Sequence, residues 1–200
     1  MRLRLGVLMI SLCLALSACG GGGGGSPAEQ LALDVRGELL GAAAGFAQVS
    51  VTADYGRRVY EYGVDMTWQA EGETVLTLTA PENVAGVSAR ILEGETALEF
   101  DGTRVETGAL DDSGLSPLSG LPLMLEYART GWMAECGMEE LDGRQVLRID
   151  CRDPENSPGE GRACALWFDP DTHALLRGEL SQDGSTVLRC EFTSFEMQQP

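Results

Sequence analysis

From Arg58 to Gln69 the chain alternates so that Tyr60, Tyr62, Val64, Met66 and Trp68 fall on one side, with Glu61, Asp65 and Thr67 on the other. That period of two belongs to a strand with one buried face, because successive side chains of a strand point to opposite sides of its sheet. Similar short stretches occupy 45–54, 73–80, 84–93, 96–101 and 103–107, and again 131–138, 145–151, 163–168, 174–181 and 186–196. Turn-forming pairs such as Tyr55-Gly56, Glu93-Gly94, Asp101-Gly102, Asp142-Gly143 and Asp183-Gly184 separate many of them. Short strands spaced this regularly predict an antiparallel meander. A sheet of about eleven twisted strands tends to curl, and its concave side then needs apolar cover.

Two helical segments are available as cover. Ser26-Pro27-Ala28-Glu29 reads as an N-cap, a proline at the first helical position and the closing residue of a capping box. Leu31, Val35, Leu39 and Ala42 then recur at helical intervals to about residue 44. The second segment, from Ser116-Pro117 to about Arg129, carries Leu118, Leu121, Leu123, Met124, Leu125 and Tyr127 around most of its circumference. Gly120 and Pro122 are expected to kink or split it. The fold class is therefore α+β, mainly β. An N-terminal helix accompanies a strongly curved antiparallel sheet or half-open barrel of about eleven strands, with an apolar helical insert over its concave side.

The first 27 residues have a separate logic. Met1-Arg2-Leu3-Arg4 is a basic start, Leu5 to Leu16 is apolar, and Leu16-Ser17-Ala18-Cys19 follows. Twelve apolar residues at about 1.5 Å each reach about 18 Å, too short to span a bilayer core of about 30 Å. Leu16-Ser17-Ala18-Cys19 resembles the lipobox of bacterial lipoprotein signals. The resemblance implies that residues 1–18 are a removable signal peptide and that Cys19 carries a diacylglycerol anchor. It places the chain in the cell envelope, on the extracytoplasmic face of a membrane. Two acyl chains hold stably where one binds reversibly. Six glycines, Gly20 to Gly25, continue to Ser26-Pro27 and form a flexible tether. Residues 19–27 are thus anchor and tether, and 28–200 form one domain.

Charge narrows the possible partners. The chain has 31 acidic and 14 basic residues, a formal net charge of −17, and removing 1–18 takes away Arg2 and Arg4 and lowers it to −19. Such a field opposes nucleic acid and electrostatic binding to anionic headgroups, and suits a basic protein partner. Every basic residue is Arg, so Schiff-base and P-loop lysine chemistry are excluded. His173, the single histidine, lies beside Asp169-Pro170-Asp171, and neither G-x-S-x-G nor H-E-x-x-H occurs. The acid pairs Asp111-Asp112 and Glu139-Glu140 read as surface charge. An enzyme is not expected, nor is any cofactor.

Beyond Cys13 and Cys19, four cysteines remain: Cys136, Cys151, Cys164 and Cys190. Outside the cytoplasm an even number reads as two disulfides. Hairpin proximity favours Cys136–Cys151 with Cys164–Cys190, and Cys151–Cys164 with Cys136–Cys190 is nearly as reasonable. The intervening stretches of 14, 12 and 25 residues contain no close metal-type pair, so free buried cysteines acting as small apolar residues rank ahead of zinc as the alternative.

The order of helix, six strands, apolar helical insert and five strands resembles the bacterial lipoprotein carriers and lipid-binding lipoproteins typified by LolA, LolB and LppX. The stretch Ala165 to Glu179, with Trp167-Phe168-Asp169 leading into a turn at Thr172-His173, is similar to that group's strand-turn-strand, although His173 stands where such turns commonly have Gly. The resemblance implies a half-barrel that binds or hands over a lipid or lipopeptide without catalysis. Tyr60, Tyr62, Met66, Trp68, Leu118, Leu121, Met124, Leu125 and Trp132 are the expected ligand contacts. A structural or protein-interaction lipoprotein with a filled core is the alternative. Replacing Cys19 with Ala should abolish fatty-acid incorporation and shift the protein out of the detergent phase, as radiolabelled palmitate and phase partitioning would show; unchanged labelling would place any acyl group elsewhere.

Overall fold

A computed structural model describes residues 25–108 and 115–200; the signal, Cys19, most of the tether and the polar loop at 110–114 lie outside the described residues. Helix α1 (Pro27–Gly41) starts with the expected box: Ser26 Oγ accepts from the Glu29 N–H, and the Glu29 carboxylate accepts from the Ser26 N–H. It stops at Gly41, before the alanine run ends, because Ala44 already pairs with Gln69 and Gln198 on the neighbouring strands.

Eleven strands follow: β1 (Ala44–Asp54), β2 (Val59–Gln69), β3 (Thr74–Ala80), β4 (Ser88–Leu92), β5 (Glu95–Phe100), β6 (Thr103–Gly108), β7 (Met133–Leu141), β8 (Arg144–Arg152), β9 (Arg162–Phe168), β10 (Leu175–Gln182) and β11 (Ser185–Gln198). They form one open antiparallel sheet in the order β6-β5-β4-β3-β2-β1-β11-β10-β9-β8-β7. The chain thus begins mid-sheet, meanders out to the β6 edge, and resumes at the β7 edge after helix α2 (Pro117–Thr130). It then meanders back to lay β11 beside β1. Four of the connections are two-residue X-Gly turns: Glu93-Gly94, Asp101-Gly102, Asp142-Gly143 and Asp183-Gly184 have positive φ at both residues. That conformation matches the right-handed twist of the flanking strands.

One side of the sheet is apolar throughout. On β1, Ala47, Val49, Val51 and Ala53 are buried; on β2, Val64, Met66 and Trp68; on β9, Cys164, Leu166 and Phe168; on β11, Leu188, Cys190 and Phe192. The other side carries charge ladders, including Arg90 between Glu73 (2.6 Å) and Glu99 (2.8 Å), and Arg177 with Glu191 (2.7 Å). The helices lie on the apolar side. α1 packs against α2, β7 and β8, and α2 against β9, β10 and β11. Arg36 of α1 donates to Ala128 O of α2 (3.2 Å), and Arg129 of α2 donates to Leu39 O of α1 (3.1 Å). Each guanidinium therefore satisfies a C-terminal carbonyl that the other helix leaves open. α2 runs as a single helix through Pro122. Burial of Leu121, Met124 and Leu125 on either side of the missing backbone donor compensates for its loss.

Strand β7 departs from the expected phase. The sequence pattern puts Trp132, Ala134, Cys136 and Met138 on one face; Cys136 and Met138 keep that inward phase opposite Ile149 and Leu147, but a bulge between Met133 and Glu135 sets Met133, in place of Trp132 and Ala134, against Cys151. The extra residue shifts the inward parity by one. Trp132 is consequently 46% exposed, with the Arg152 guanidinium 5.0 Å above its ring, and does not join the interior.

In the β9–β10 turn, Asp169 Oδ1 accepts from the N–H groups of Thr172 (2.9 Å) and Asp171 (3.0 Å), and His173 takes φ 57°. That left-handed geometry is the reason Gly suits the position. His173 Nδ1 lies 3.0 Å from Glu38 Oε1, tying the turn to α1.

Two glycines make the interior possible. The indole of Trp68 lies over Gly45 so closely that an added Cβ would stand 2.0 Å from the ring, and Met124 Sδ would stand 2.8 Å from a Cβ at Gly178. Gly45→Ala should therefore destabilise the fold by about 1–3 kcal/mol through overpacking and red-shift the tryptophan emission. Urea unfolding followed by fluorescence checks this; a variant as stable as the parent, with unchanged emission, would contradict the packing described.

Candidate functional site

Five of the nine expected ligand contacts are interior side chains. Met66, Trp68, Leu121, Met124 and Leu125 expose almost no surface, and all belong to one continuous core. The inner side of residues 117–128 is filled by Leu121, Met124 and Leu125, on a helix that packs over β9, β10 and β11. Beside α2, not under it, a cleft of about 300 Å³ opens between Leu123, Glu126, Tyr127, Thr130 and Gly131 and the facing Arg162. Leu118 is half-buried at the start of α2.

Tyr60 and Tyr62 lie elsewhere, on the inner face near the β1–β2 hairpin. Tyr60 pairs with Ala53 and is 38% exposed; Tyr62 pairs with Val51 and is half-buried. Their rings stack at 6.3 Å, and Tyr55 at the hairpin end continues the series at 6.0 Å from Tyr60. Tyr55 also donates its hydroxyl to Leu115 O (3.0 Å), tying the hairpin to the segment that enters α2.

The apolar face continues toward the β6 edge. Register aligns Met66 with Leu76, Leu76 with Ala89, Ala89 with Leu98 and Leu98 with Val105. Burial declines along this row. Leu76 and Ala89 are fully buried and Leu98 is half-buried, whereas Val105 is 55% exposed, as is Phe100 on the same face at 54%. Tyr60, Tyr62, Leu98, Phe100 and Val105 thus mark the part of the concave side that the helices leave open. The alternation of Leu98 with Phe100 is visible in the sequence, but nothing there reveals that the cover sits on the other half.

Among the described residues the four cysteines are free thiols, so neither of the two expected disulfides is formed in this structure. Burial pushes the Cys151 thiol up to about 11, against the opposing pull of Arg36, whose Nη2 lies 3.9 Å from Sγ. Burial also raises Cys164 and Cys190, and to a lesser extent Cys136. Glu139 accepts from the indole N–H of Trp167 and pairs with Arg148 (3.4 Å), consistent with its reading as surface charge. Among the described residues no group of three or more His, Cys, Asp or Glu side chains converges to hold a metal, and no helix is long and apolar enough to cross a membrane.

No family model and no curated protein matches this sequence. Among solved structures, the chain is similar to an uncharacterized conserved protein from Thermus thermophilus, with 13% identity over 86% of this chain and 88% of that one and a TM-score of 0.51. That likeness is one of fold. Similarity at lower scores extends to the Mycobacterium tuberculosis lipoprotein LppX, 18% identical over 84% of this chain and 92% of that one with a TM-score of 0.45. It extends also to a LolA superfamily protein from Nitrosomonas europaea, 8% identical over 88% and 96% with a TM-score of 0.43.

The thiols generate a pH dependence. Their folded-state values lie above the ordinary value of about 8.5, so the native state holds their protons longer than the unfolded chain. The stability they contribute is complete below about pH 8.5 and is lost as pH rises toward 11. Urea titration of the reduced protein should show the midpoint falling over that window, less steeply in Cys151→Ala; equal slopes would contradict burial of this thiol.

Proposed function

We propose that this protein is a membrane-anchored extracytoplasmic lipoprotein that binds an apolar ligand, a lipid or lipopeptide, on the uncovered part of its concave sheet and does so without catalysis. The observation that carries the reading is the open strip of Tyr60, Tyr62, Leu98, Phe100 and Val105, continuous with a core that is otherwise closed. An acyl chain laid along it would remove apolar surface from water at about 25 cal/mol per Å² on each side of the contact. The hydroxyls of Tyr60 and Tyr62 offer hydrogen bonds to a polar head, which gives the strip an apolar floor and a polar end. The lipobox at Leu16 to Cys19 supports the anchor, and the six glycines supply the reach that a membrane-derived ligand requires.

A second reading, an interaction lipoprotein without cargo, is favoured by one observation. The space beneath α2 is filled by Leu121, Met124 and Leu125. On that reading the acidic surface meets a basic protein and the open strip belongs to the protein contact.

Organic extraction of the purified protein followed by mass spectrometry separates the two. The lipid-binding reading expects roughly one extractable lipid per chain, in addition to acyl groups covalently held at Cys19. It also expects that Phe100→Asp with Val105→Asp removes the extractable lipid while circular dichroism and the unfolding midpoint stay near those of the parent. Absence of lipid from the parent, with no uptake from vesicles, would favour the interaction reading.

A further inference from the structure

The strand register resolves a question that spacing alone left open. Cys151 on β8 and Cys164 on β9 are direct cross-strand partners, and both are buried on the apolar side. The Arg152 N–H donates to Trp132 O toward β7, so the adjacent Cys151 turns its backbone groups toward β9. The Asp183 N–H donates to Gly161 O from the β10 side, and counting along β9 from Gly161 turns the Cys164 backbone toward β8. The two cysteines therefore form a backbone-bonded pair, whose Cα atoms stand about 5.5 Å apart. That separation lies within the range disulfides use, and closure brings the Cβ atoms together by about 1–2 Å, from about 5.5 Å to the 3.5–4.5 Å or so that the bond spans.

Other pairings are too wide. Cys136 faces Ile149, leaving it diagonal to Cys151 at about 7–8 Å between Cα atoms. Cys190 on β11 is separated from Cys164 by the whole of β10 and by two residues along the strands, more than about 9.6 Å. Cys136 and Cys190 are four strand spacings apart along the sheet, about 19 Å. Bridges beyond about 7 Å require the backbone to move.

We propose that Cys151 and Cys164 form a cross-strand disulfide while Cys136 and Cys190 remain thiols. The Cys151 thiolate or the Cys164 thiolate attacks one sulfur of an external disulfide, forming a mixed disulfide and expelling one thiolate. The second cysteine thiolate then attacks the mixed disulfide, expels the other external thiolate and closes the S–S bond. Two cysteine S–H bonds are lost, and the two electrons and two protons pass to the external disulfide, which leaves as two thiols. The reaction takes place before the helices cover β8 and β9, because both sulfurs are sealed in the finished fold and buried thiols are poor nucleophiles. Once closed, the same burial shields the bond from soluble reductants. Only the source of the oxidant in the cell rests on the extracytoplasmic placement proposed above; the pairing itself rests on the register.

The purified whole chain is reduced and unfolded, refolded in a mixture of reduced and oxidised glutathione, alkylated under denaturing conditions, digested and mapped by mass spectrometry. The expected product is about 2 Da lighter than the fully reduced chain, since two hydrogens leave with the bond. A single linked peptide pair contains Cys151 and Cys164, and Cys136 and Cys190 are both alkylated. Cys136→Ser with Cys190→Ser should keep the link, and the folded oxidised protein should resist millimolar dithiothreitol until denaturant is added. Four alkylated cysteines, or a link involving Cys136 or Cys190, would overturn the proposal. Neither result depends on whether a lipid is extracted, so failure here is distinguishable from failure of the ligand reading.

Discussion

Eleven strands with one apolar face set a problem of width that the remainder of the molecule must solve. At about 4.8 Å between neighbours the sheet is roughly 48 Å across if laid flat, whereas two helices about 10 Å wide cover about 20 Å. Curling and self-contact cover part of the difference. The rest is the strip of inner face near β5, β6 and the β1–β2 hairpin, where Tyr60, Phe100 and Val105 reach solvent. The position of the helices follows from topology. α2 is the segment that carries the chain from the β6 edge to the β7 edge, and the reciprocal contacts of Arg36 and Arg129 hold α1 beside it over the later strands. Cover is thereby concentrated over β7 to β11.

The inner face is built by size matching as much as by hydrophobicity. Small residues on β1 stand opposite large ones on its neighbours: Ala47 opposite Met66 and Phe195, Ala53 opposite Tyr60 and Leu188, Gly45 opposite Trp68. A larger residue at Gly45 or Gly178 has no room, because the indole of Trp68 and the sulfur of Met124 already occupy it. The same close fit closes the space under α2 and directs attention to the side where fit is lacking. Outside, the arginines are distributed as rungs between carboxylates, so a strongly acidic chain still forms a regular outer face. Exposed pairs of this kind contribute little each, and their value here is to relieve repulsion among neighbouring acids.

Much of this architecture is legible in the sequence for identifiable reasons. The parity of Tyr60 to Trp68 is unambiguous because five large residues keep one phase, and the X-Gly turns declare themselves because few other pairs accept positive φ twice. The helix start at Ser26 is equally plain. Three features are hidden because each depends on partners distant in sequence. A single extra residue in β7 turns Trp132 away from the interior, and nothing local marks that bulge. The pairing of β1 with β11 brings residues near 50 to residues near 190, setting Val51 opposite Cys190 and closing the two halves of the meander into one sheet. The side on which the helices lie decides which expected contacts become core: Met66 and Trp68 go inside, Tyr60 stays open, and Phe100 and Val105 enter the candidate site although their alternation alone does not say that they are uncovered.

Ligand binding requires that the open strip be apolar surface available to a chain-like molecule, and photolabelling with a diazirine-bearing fatty acid examines that most directly. Irradiation, digestion and mass spectrometry should place the label within residues 59–62 and 95–108, with unlabelled fatty acid competing it away and residues 117–130 unmarked. Label confined to α2, or scattered labelling indifferent to competitor, would contradict it.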